Sequence, residues 1–328
     1  MPMLLTIPSD VGEIVLSRSQ TMPVPYAKVI VNPVAGGSSV RGKWPRIKEQ
    51  LHGVGLSFDH EFTRGAGHGI EIARRAADSG YRYLIAVGGD GTVNEVANGI
   101  LGSTHSRNTI LGIISAGTAC SFARSLNIAQ DYVGACSLLT GTGRASIDVG
   151  VVQCRSQGRP LQRFFVNAAS AGFVATIVDT WKRLPNRFGH SINHIFREVE
   201  GIRSLFTYRN KWIKLSMGNK VETICACTVV VANGQYFADG MQIAPHAKLD
   251  DGLLDVVIVG DVGKSELLKL WPKLYSGNHI GHPKIREEKT TVVTIESDEQ
   301  LLIEADGDIL GESPVSFRVI PSALTIVV

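Results

Sequence analysis

The chain predicts an α/β domain followed by an all-β domain, and three observations carry that prediction. From Tyr26 to about Arg144, short apolar runs alternate with stretches whose apolar residues recur at helical spacing, as βα units around a parallel sheet require. Three of those apolar runs end in glycine-rich turns. From Ser146 onward, many short β-like runs follow one another with turns between, which fits an antiparallel β-sandwich. The composition shifts near Gly141–Arg144, so the first domain is placed at 26–144 and the second at 145–314.

Whole-chain quantities agree with this division. A length of 328 residues suits two domains, and 44% hydrophobic content suffices for well-filled cores. The formal charge of +3 is too small to argue for nucleic acid. Five cysteines, an odd number, point to reduced thiols and a cytoplasmic setting. Cys225 and Cys227 sit in an apolar run and read as core rather than metal ligands. No stretch approaches the ~20 apolar residues of a membrane-spanning helix. Residues 1–25 read as an extension before the core; Met1–Ile7 is apolar but lacks the charged start and the cleavage site of a signal peptide.

In order, strands are expected at Ala27–Asn32, Ser57–Phe62, Tyr83–Val87 and Ile110–Ile114, with helices at Trp44–Leu51 and Ile70–Ala77. The second domain is expected to hold strands at Ser146–Cys154, Arg163–Ala168, Trp212–Met217, Val221–Ala232, Leu253–Val259, Thr291–Ile295, Leu301–Ala305, Ser316–Ile320 and Leu324–Val328. Its expected helices are Val174–Lys182, Ile192–Phe206 and Lys264–Tyr275.

The strand Tyr83–Val87 runs straight into Gly88-Gly89-Asp90-Gly91-Thr92-Val93-Asn94. Glycine admits positive φ and lets the backbone come close to a ligand. Amides at a helix N-terminus, or in a nest of successive N–H groups, attract phosphate. Asp90 is then placed to hold or orient a magnesium ion on that phosphate. Taken alone, such a turn also reads as an αβ connection with a helix-capping aspartate. Two further glycine turns favour the ligand reading. Val29–Asn32 leads into Asn32-Pro33-Val34-Ala35-Gly36-Gly37, and Ile110–Ile114 leads into Ser115-Ala116-Gly117-Thr118. Strand ends carrying Gly, Asn and Thr are what a nucleotide site in an open α/β sheet requires.

Together these segments resemble the diacylglycerol kinase catalytic family in its soluble bacterial lipid-kinase form, related to sphingosine and ceramide kinases. Gly88–Glu95 looks like the signature loop, which by itself is also similar to NAD kinases. Asn32-Pro33 with Gly36, Thr63 with Gly67-His68, and Gly117-Thr118 followed by Phe122–Leu126 look like its other loops. Ser146–Gly150, Phe165-Val166-Asn167, Ala247–Asp255 and Ala305–Asp308 look like its second-domain segments.

The resemblance implies a three-layer α/β nucleotide-binding domain, a β-sandwich acceptor domain, C-terminal strands at about 315–328 returning to the first domain, and ATP in the interdomain cleft. Its nucleotide contacts carry over onto Asn32, Pro33, Val34, Ala35, Gly36, Thr63, Gly88, Gly89, Asp90, Gly91, Thr92, Val93, Asn94 and Thr118. Asp90 is the implied ligand of the catalytic Mg2+. The family's acidic Asp-Gly-Glu reads Asp306-Gly307-Asp308 here, which makes Asp306 and Asp308 the general-base candidates. Asp-Gly is equally a hairpin signal. A second, structural Mg2+ is implied at Lys248, Asp251 and Leu253, with only Asp251 giving its side chain. Where many relatives read Thr-x-Asn-Asp, this chain reads Thr118-Ala119-Cys120-Ser121, and a neutral serine stands at the acidic position.

His279 with His282, and His190 with His194, lack a third ligand and do not read as zinc sites. Trp181–Lys214 holds eight Lys or Arg against two Glu, interleaved with aromatics, which suits peripheral contact with an anionic membrane surface or an ordinary solvated helix. The implied activity is an ATP-dependent lipid kinase acting on diacylglycerol, a sphingoid base or a related lipid, cytoplasmic or peripheral at the inner membrane face, with a homodimer possible. A soluble-metabolite kinase and a nucleotide-binding regulator without catalysis are the alternatives.

Overall fold

The computed structural model describes residues 27–116, 120–183, 199–201, 203–238 and 240–328. The expected extension 1–25 and most of the expected helix Ile192–Phe206 lie outside the described residues.

The first domain runs β1 (Ala27–Val31), α1 (Ala35–Gly53), β2 (Phe58–Phe62), α2 (His68–Asp78), β3 (Tyr83–Gly88), α3 (Asp90–Leu101), β4 (Ile110–Ser115), α4 (Ser121–Ser125) and α5 (Tyr132–Leu139). The strands are parallel, in the order β4-β3-β1-β2. Helices cover both faces, which is why β3 is apolar along its whole length. On one face, Trp44, Ile47 and Leu51 of α1 pack with Ala135 and Leu139 of α5. On the other, Ile72 and Ala76 of α2 pack with Val93, Val96 and Ile100 of α3. All the turns at the C-terminal ends of β1, β3 and β4 therefore open at one edge of the sheet.

The second domain holds β5 (Arg144–Ser156), β6 (Arg159–Phe165), β7 (Ala168–Gly172), α6 (Phe173–Arg183), β8 (Lys211–Met217), β9 (Lys220–Ala226), β10 (Thr228–Ala232), β11 (Tyr236–Phe237), β12 (Met241–Gln242), β13 (Leu254–Val259), β14 (Ile285–Thr290), β15 (Val292–Glu296), β16 (Leu302–Ala305) and β17 (Asp308–Val327). One layer is β14-β13-β10-β7-β16 and the other is β6-β5-β17-β15-β8-β9, all antiparallel. Side chains from both layers fill the space between, with Phe165 and Phe317 meeting edge to face at 6.3 Å.

Strand β17 is 20 residues long and joins the domains. Its pairing with β5 shifts register between Glu312 and Ser316 and again between Ile320 and Leu324, next to Pro314 and Pro321, which cannot donate to a ladder. Beyond the second shift, Thr325 and Ile326 pair in parallel with Ile110 and Leu111 of β4. The expected separate runs Ser316–Ile320 and Leu324–Val328 are thus one strand.

Two other expectations change, and one strand, β14, was not expected. Val221–Ala232 breaks at Cys227, whose amide turns aside to Val259 O at 2.8 Å, giving β9 and β10. Arg163–Ala168 ends β6 at Phe165 and starts β7 at Ala168, because the amides between bend around a buried carboxylate. The charged run of β14 is an edge strand, where charge blocks further pairing.

Candidate active site

The three turns expected to cradle phosphate are built largely from backbone. After β1, Gly36, Gly37 and Ser38 take φ of 58°, 66° and 72°, so the chain coils in the left-handed region before α1 proper. Glycine fits there without strain, and successive amides in such a turn converge on one point. Asn32 Oδ1 accepts the Val34 amide at 3.2 Å, and Asn32 Nδ2 donates to Thr92 Oγ1 at 3.0 Å. This ties the first turn to the N-terminus of α3. A Cβ on Gly88 would lie 2.3 Å from that same Thr92 Oγ1, so only glycine lets the turn close. Glu95 accepts the amides of Gly67 and Gly69 at 2.7 and 2.8 Å and fixes the turn after Thr63. The Ser39 hydroxyl reaches Ala116 O at 3.5 Å, bringing the turn after β4 alongside. Pro33, Val34, Ala35, Gly89 and Gly91 line these turns, with Val34 and Gly91 exposed. Thr118 lies outside the described residues.

Two of the expected nucleotide residues face elsewhere. Val93 is fully buried in the α2–α3 core, and its amide donates to Gly89 O at 3.1 Å. Asn94 is also buried, and its Nδ2 donates to Asp306 Oδ2 at 2.5 Å.

Asp306 stands at the tip of the β16–β17 hairpin, with φ of 45° before Gly307 at 84°, the pair of positive values a tight hairpin demands. Its carboxylate accepts Val166 N at 2.7 Å, Asn167 N at 3.1 Å, Ala168 N at 3.0 Å and Asn94 Nδ2. Burial nevertheless pushes its carboxyl up to about 6. Asp90 caps a helix that is not its own. Its oxygens accept the amides of Ser121 and Phe122, both at 3.0 Å, at the start of α4. Ser121 therefore serves Asp90 through its backbone. The Cys120 thiol beside Asp90 is pushed up to about 12 by burial and is inert.

Asp90, Asp306, Glu304, Asn167, Phe122 and Lys182 line one cleft of about 290 Å³ between the domains. Asp308, expected beside Asp306 as a base, turns away from it. Its carboxylate is 42% exposed and pairs with Lys182 Nζ at 2.5 Å and Arg163 at 3.7 Å. The hairpin explains this: Asp308 is the first residue after the two-residue turn and pairs with Ala305, away from the cleft. Glu304, which the motifs do not mark, is buried in the cleft instead. Strand alternation alone would have read it as a solvent-facing residue of β16.

A second cavity opens beside the cleft, lined by Phe173, Ile177, Leu205, Leu270 and Trp271 among others, with about 80 Å³ of free space. It shares Val178, Trp181, Phe237 and Ala238 with the cleft. His279 lies in its wall, its Nε2–H donating to Ile243 O at 3.0 Å, and burial holds the imidazole below its usual range. Among the described residues no group of three metal-binding side chains occurs; His190 and His194 lie outside them. Arg187 and Arg197 of the basic stretch also lie outside.

At the expected structural metal site, Asp251, the one side chain expected to bind, is taken up by a lysine. Asp251 Oδ1 accepts the Leu253 amide at 3.1 Å and Oδ2 accepts Lys289 Nζ at 2.8 Å. Lys289 also stands 3.3 Å from Asp255 and 3.4 Å from His246 O. An ammonium thus occupies the side of Asp251 where a divalent ion would need an oxygen cage. The Lys248 side chain is exposed, and Leu253 engages the site through its amide. Burial pushes the Asp255 carboxyl above its usual range, and Lys289 offsets this only in part. Burial opposes charge on Lys289, but Asp251 and Asp255 hold its ammonium above the usual lysine range.

Residues 26–152 match the diacylglycerol kinase catalytic domain, and residues 168–328 match the YegS C-terminal NAD kinase beta sandwich-like domain. A diacylglycerol kinase of Staphylococcus carnosus (strain TM300) is 27% identical over 292 residues, covering 89% of this chain and 91% of that protein. A diacylglycerol kinase of Staphylococcus haemolyticus (strain JCSC1435) is 28% identical, covering 89% and 84%. A solved diacylglycerol kinase structure from Bacillus anthracis strain Sterne superposes with a TM-score of 0.68 at 22% identity, covering 92% of this chain and 96% of that one. The glycine turns, the interdomain cleft and the sandwich define a two-domain kinase. The chain carries a diacylglycerol kinase catalytic domain followed by a YegS C-terminal NAD kinase beta sandwich-like domain, and the names of its relatives support a kinase.

Two outcomes test the lysine in place of the metal. In nucleotide-free protein, millimolar Mg2+ against EDTA leaves the thermal midpoint unchanged. Lys289→Met strips the cation from buried Asp255 and lowers unfolding free energy by about 2 kcal/mol, read by urea denaturation. A Mg2+-dependent rise in the wild-type midpoint would contradict this assignment.

Proposed function

We propose that the protein is an ATP-dependent lipid kinase that transfers the γ-phosphate to a hydroxyl of diacylglycerol, a sphingoid base or a related lipid. One observation carries the lipid part: the apolar cavity of the second domain opens at Trp181 and Phe237 directly onto the carboxylate cleft. A soluble, polar acceptor has no use for such a wall.

The roles follow from the geometry. The turns after β1, β3 and β4 present amides and small polar groups to a polyphosphate, at the edge where open α/β sheets bind nucleotides. The Asp90 carboxylate lines the cleft and is an oxygen donor of the kind magnesium takes, so it fits as the ligand of a magnesium ion. When bound there, Mg2+ supplies charge neutralisation on the phosphoryl group. Asp306 keeps the two walls of the cleft in register. The α6 helix and the strand pair β11–β12 orient an aliphatic chain so that its hydroxyl end meets the carboxylates. No helix among the described residues is long and apolar enough to cross a membrane. Lys182 at the end of α6 lines the cleft and pairs with Asp308, while Arg183 beside it pairs with Asp179.

Labelled γ-phosphate should pass from ATP into a single product class in a total lipid extract, identified by mass. Transfer only to a water-soluble metabolite would overturn the reading. Asp90→Asn should lower kcat by about 100-fold or more, the usual loss of one charge-stabilising group, and full activity would refute its role. Val178→Trp narrows the passage between cavity and cleft. It should raise KM for a long-chain acceptor about tenfold while KM for ATP changes less than about twofold, as expected when about 1.4 kcal/mol of binding is lost.

A further inference from the structure

We propose that Glu304 is the general base that receives the proton of the acceptor hydroxyl. The inference rests on the kinase reading above and names the group that performs its proton transfer. In the step, the acceptor oxygen forms a bond to the γ-phosphorus, the bond from that phosphorus to the bridging oxygen breaks, and ADP departs with the electron pair. The hydroxyl proton passes to a Glu304 carboxylate oxygen.

Of the carboxylates at the hairpin, Glu304 alone combines a place in the cleft with open acceptor capacity. Asp306 is committed to four donors, three of them backbone amides that move only if the β6–β7 turn moves. Asp308 pairs with Lys182 and Arg163 and does not line the cleft. Glu304 is 3% exposed and lines the cleft with Asp90. Its Oε2 accepts from Ser170 Oγ at 2.6 Å and its Oε1 from Gly307 N at 3.1 Å. A carboxylate has about four acceptor sites, so each oxygen can still take a further proton donor.

The surroundings suit the task. The charged groups near Glu304 are Asp306 and Asp308 on its own hairpin, Asp90 across the cleft, and Lys182 on α6, which is drawn to Asp308. The Ser170 hydroxyl of β7 faces it from the neighbouring strand. Burial, helped by the negative charge of Asp306 and Asp308, pushes its carboxyl up to about 7 against the pull of Ser170 and Gly307. A base is most effective when its pKa lies near the working pH. Because it must be deprotonated to act, activity rises as pH climbs through that value.

The test is the pH profile of kcat/KM for lipid phosphorylation by wild type, Glu304→Gln, Glu304→Asp and Asp308→Asn. Glutamine preserves the size of the side chain, its Oε1 can keep the Gly307 amide while its Nε2 donates to Ser170 Oγ in place of accepting from it, and thermal midpoints check folding. The wild-type profile should rise with unit slope through about pH 7. Glu304→Gln should lose that limb and about 100-fold or more in kcat, with both KM values within about threefold. Glu304→Asp should recover part of the rate, and Asp308→Asn should keep the limb. A wild-type profile in Glu304→Gln, or loss of the limb in Asp308→Asn, would overturn the proposal. A second arm needs no acceptor. In protein labelled with 13C at glutamate carboxyls, the signal absent from Glu304→Gln should titrate near pH 7. A midpoint below about 5 overturns the role of Glu304 whatever the acceptor. Absence of lipid phosphorylation by the wild type overturns the acceptor reading instead, and the titration then decides on Glu304.

Discussion

The carboxylate of Asp306 is the joint on which the cleft depends. Four donors from two places converge on it: Asn94 from helix α3 of the first domain, and the amides of Val166, Asn167 and Ala168 from the β6–β7 turn of the second. The residue itself belongs to a third element, the β16–β17 hairpin. Hydrogen bonds to an ionised group contribute about 1.5–3 kcal/mol each, enough to offset much of the cost of burying the charge. One side chain thereby fixes the distance between the wall that carries the glycine turns and the wall that carries Glu304.

Two other aspartates work in the same way. Asp148 is buried and accepts Gly252 N at 2.6 Å and Ser322 N at 2.8 Å, tying the loop before β13 to the bend in β17. Asp90 clamps the start of α4 to the start of α3. Each aspartate satisfies backbone amides that no strand or helix can satisfy, so each marks a place where regular structure stops. These interruptions surround the cleft. The chemistry is therefore concentrated where backbone groups need side-chain partners, and the apolar cavity lies next to that zone, behind α6.

Much of this was legible in the chain. The parallel strands of the first domain are apolar runs that only a doubly covered sheet buries, and the turns at Gly36–Gly37 and Gly88 need glycine for reasons of φ and clearance. The sandwich was legible from its alternating runs. Strand β7, Ala168–Gly172, was not: its residues are small, and it is a strand because β10 and β16 flank it. Strand β14 was hidden by its charges. At the site, the sequence marked Asp90 and Asp306 by motif but not their partners, because Ser121 is 31 residues from Asp90 and Asn94 is 212 residues from Asp306. Lys289 was invisible for the same reason: it reaches Asp251 from a strand 38 residues away. Glu304 has no local signature, since a glutamate in a short strand ordinarily points to water.

The most direct test of this account is a double-mutant cycle on Asn94→Ala and Asp306→Asn, with unfolding free energies from urea titration. If the carboxylate joins the domains, the two losses are coupled by about 1 kcal/mol or more. Additivity within about 0.5 kcal/mol would mean that the contact does not hold the cleft together, and the account would fall with it.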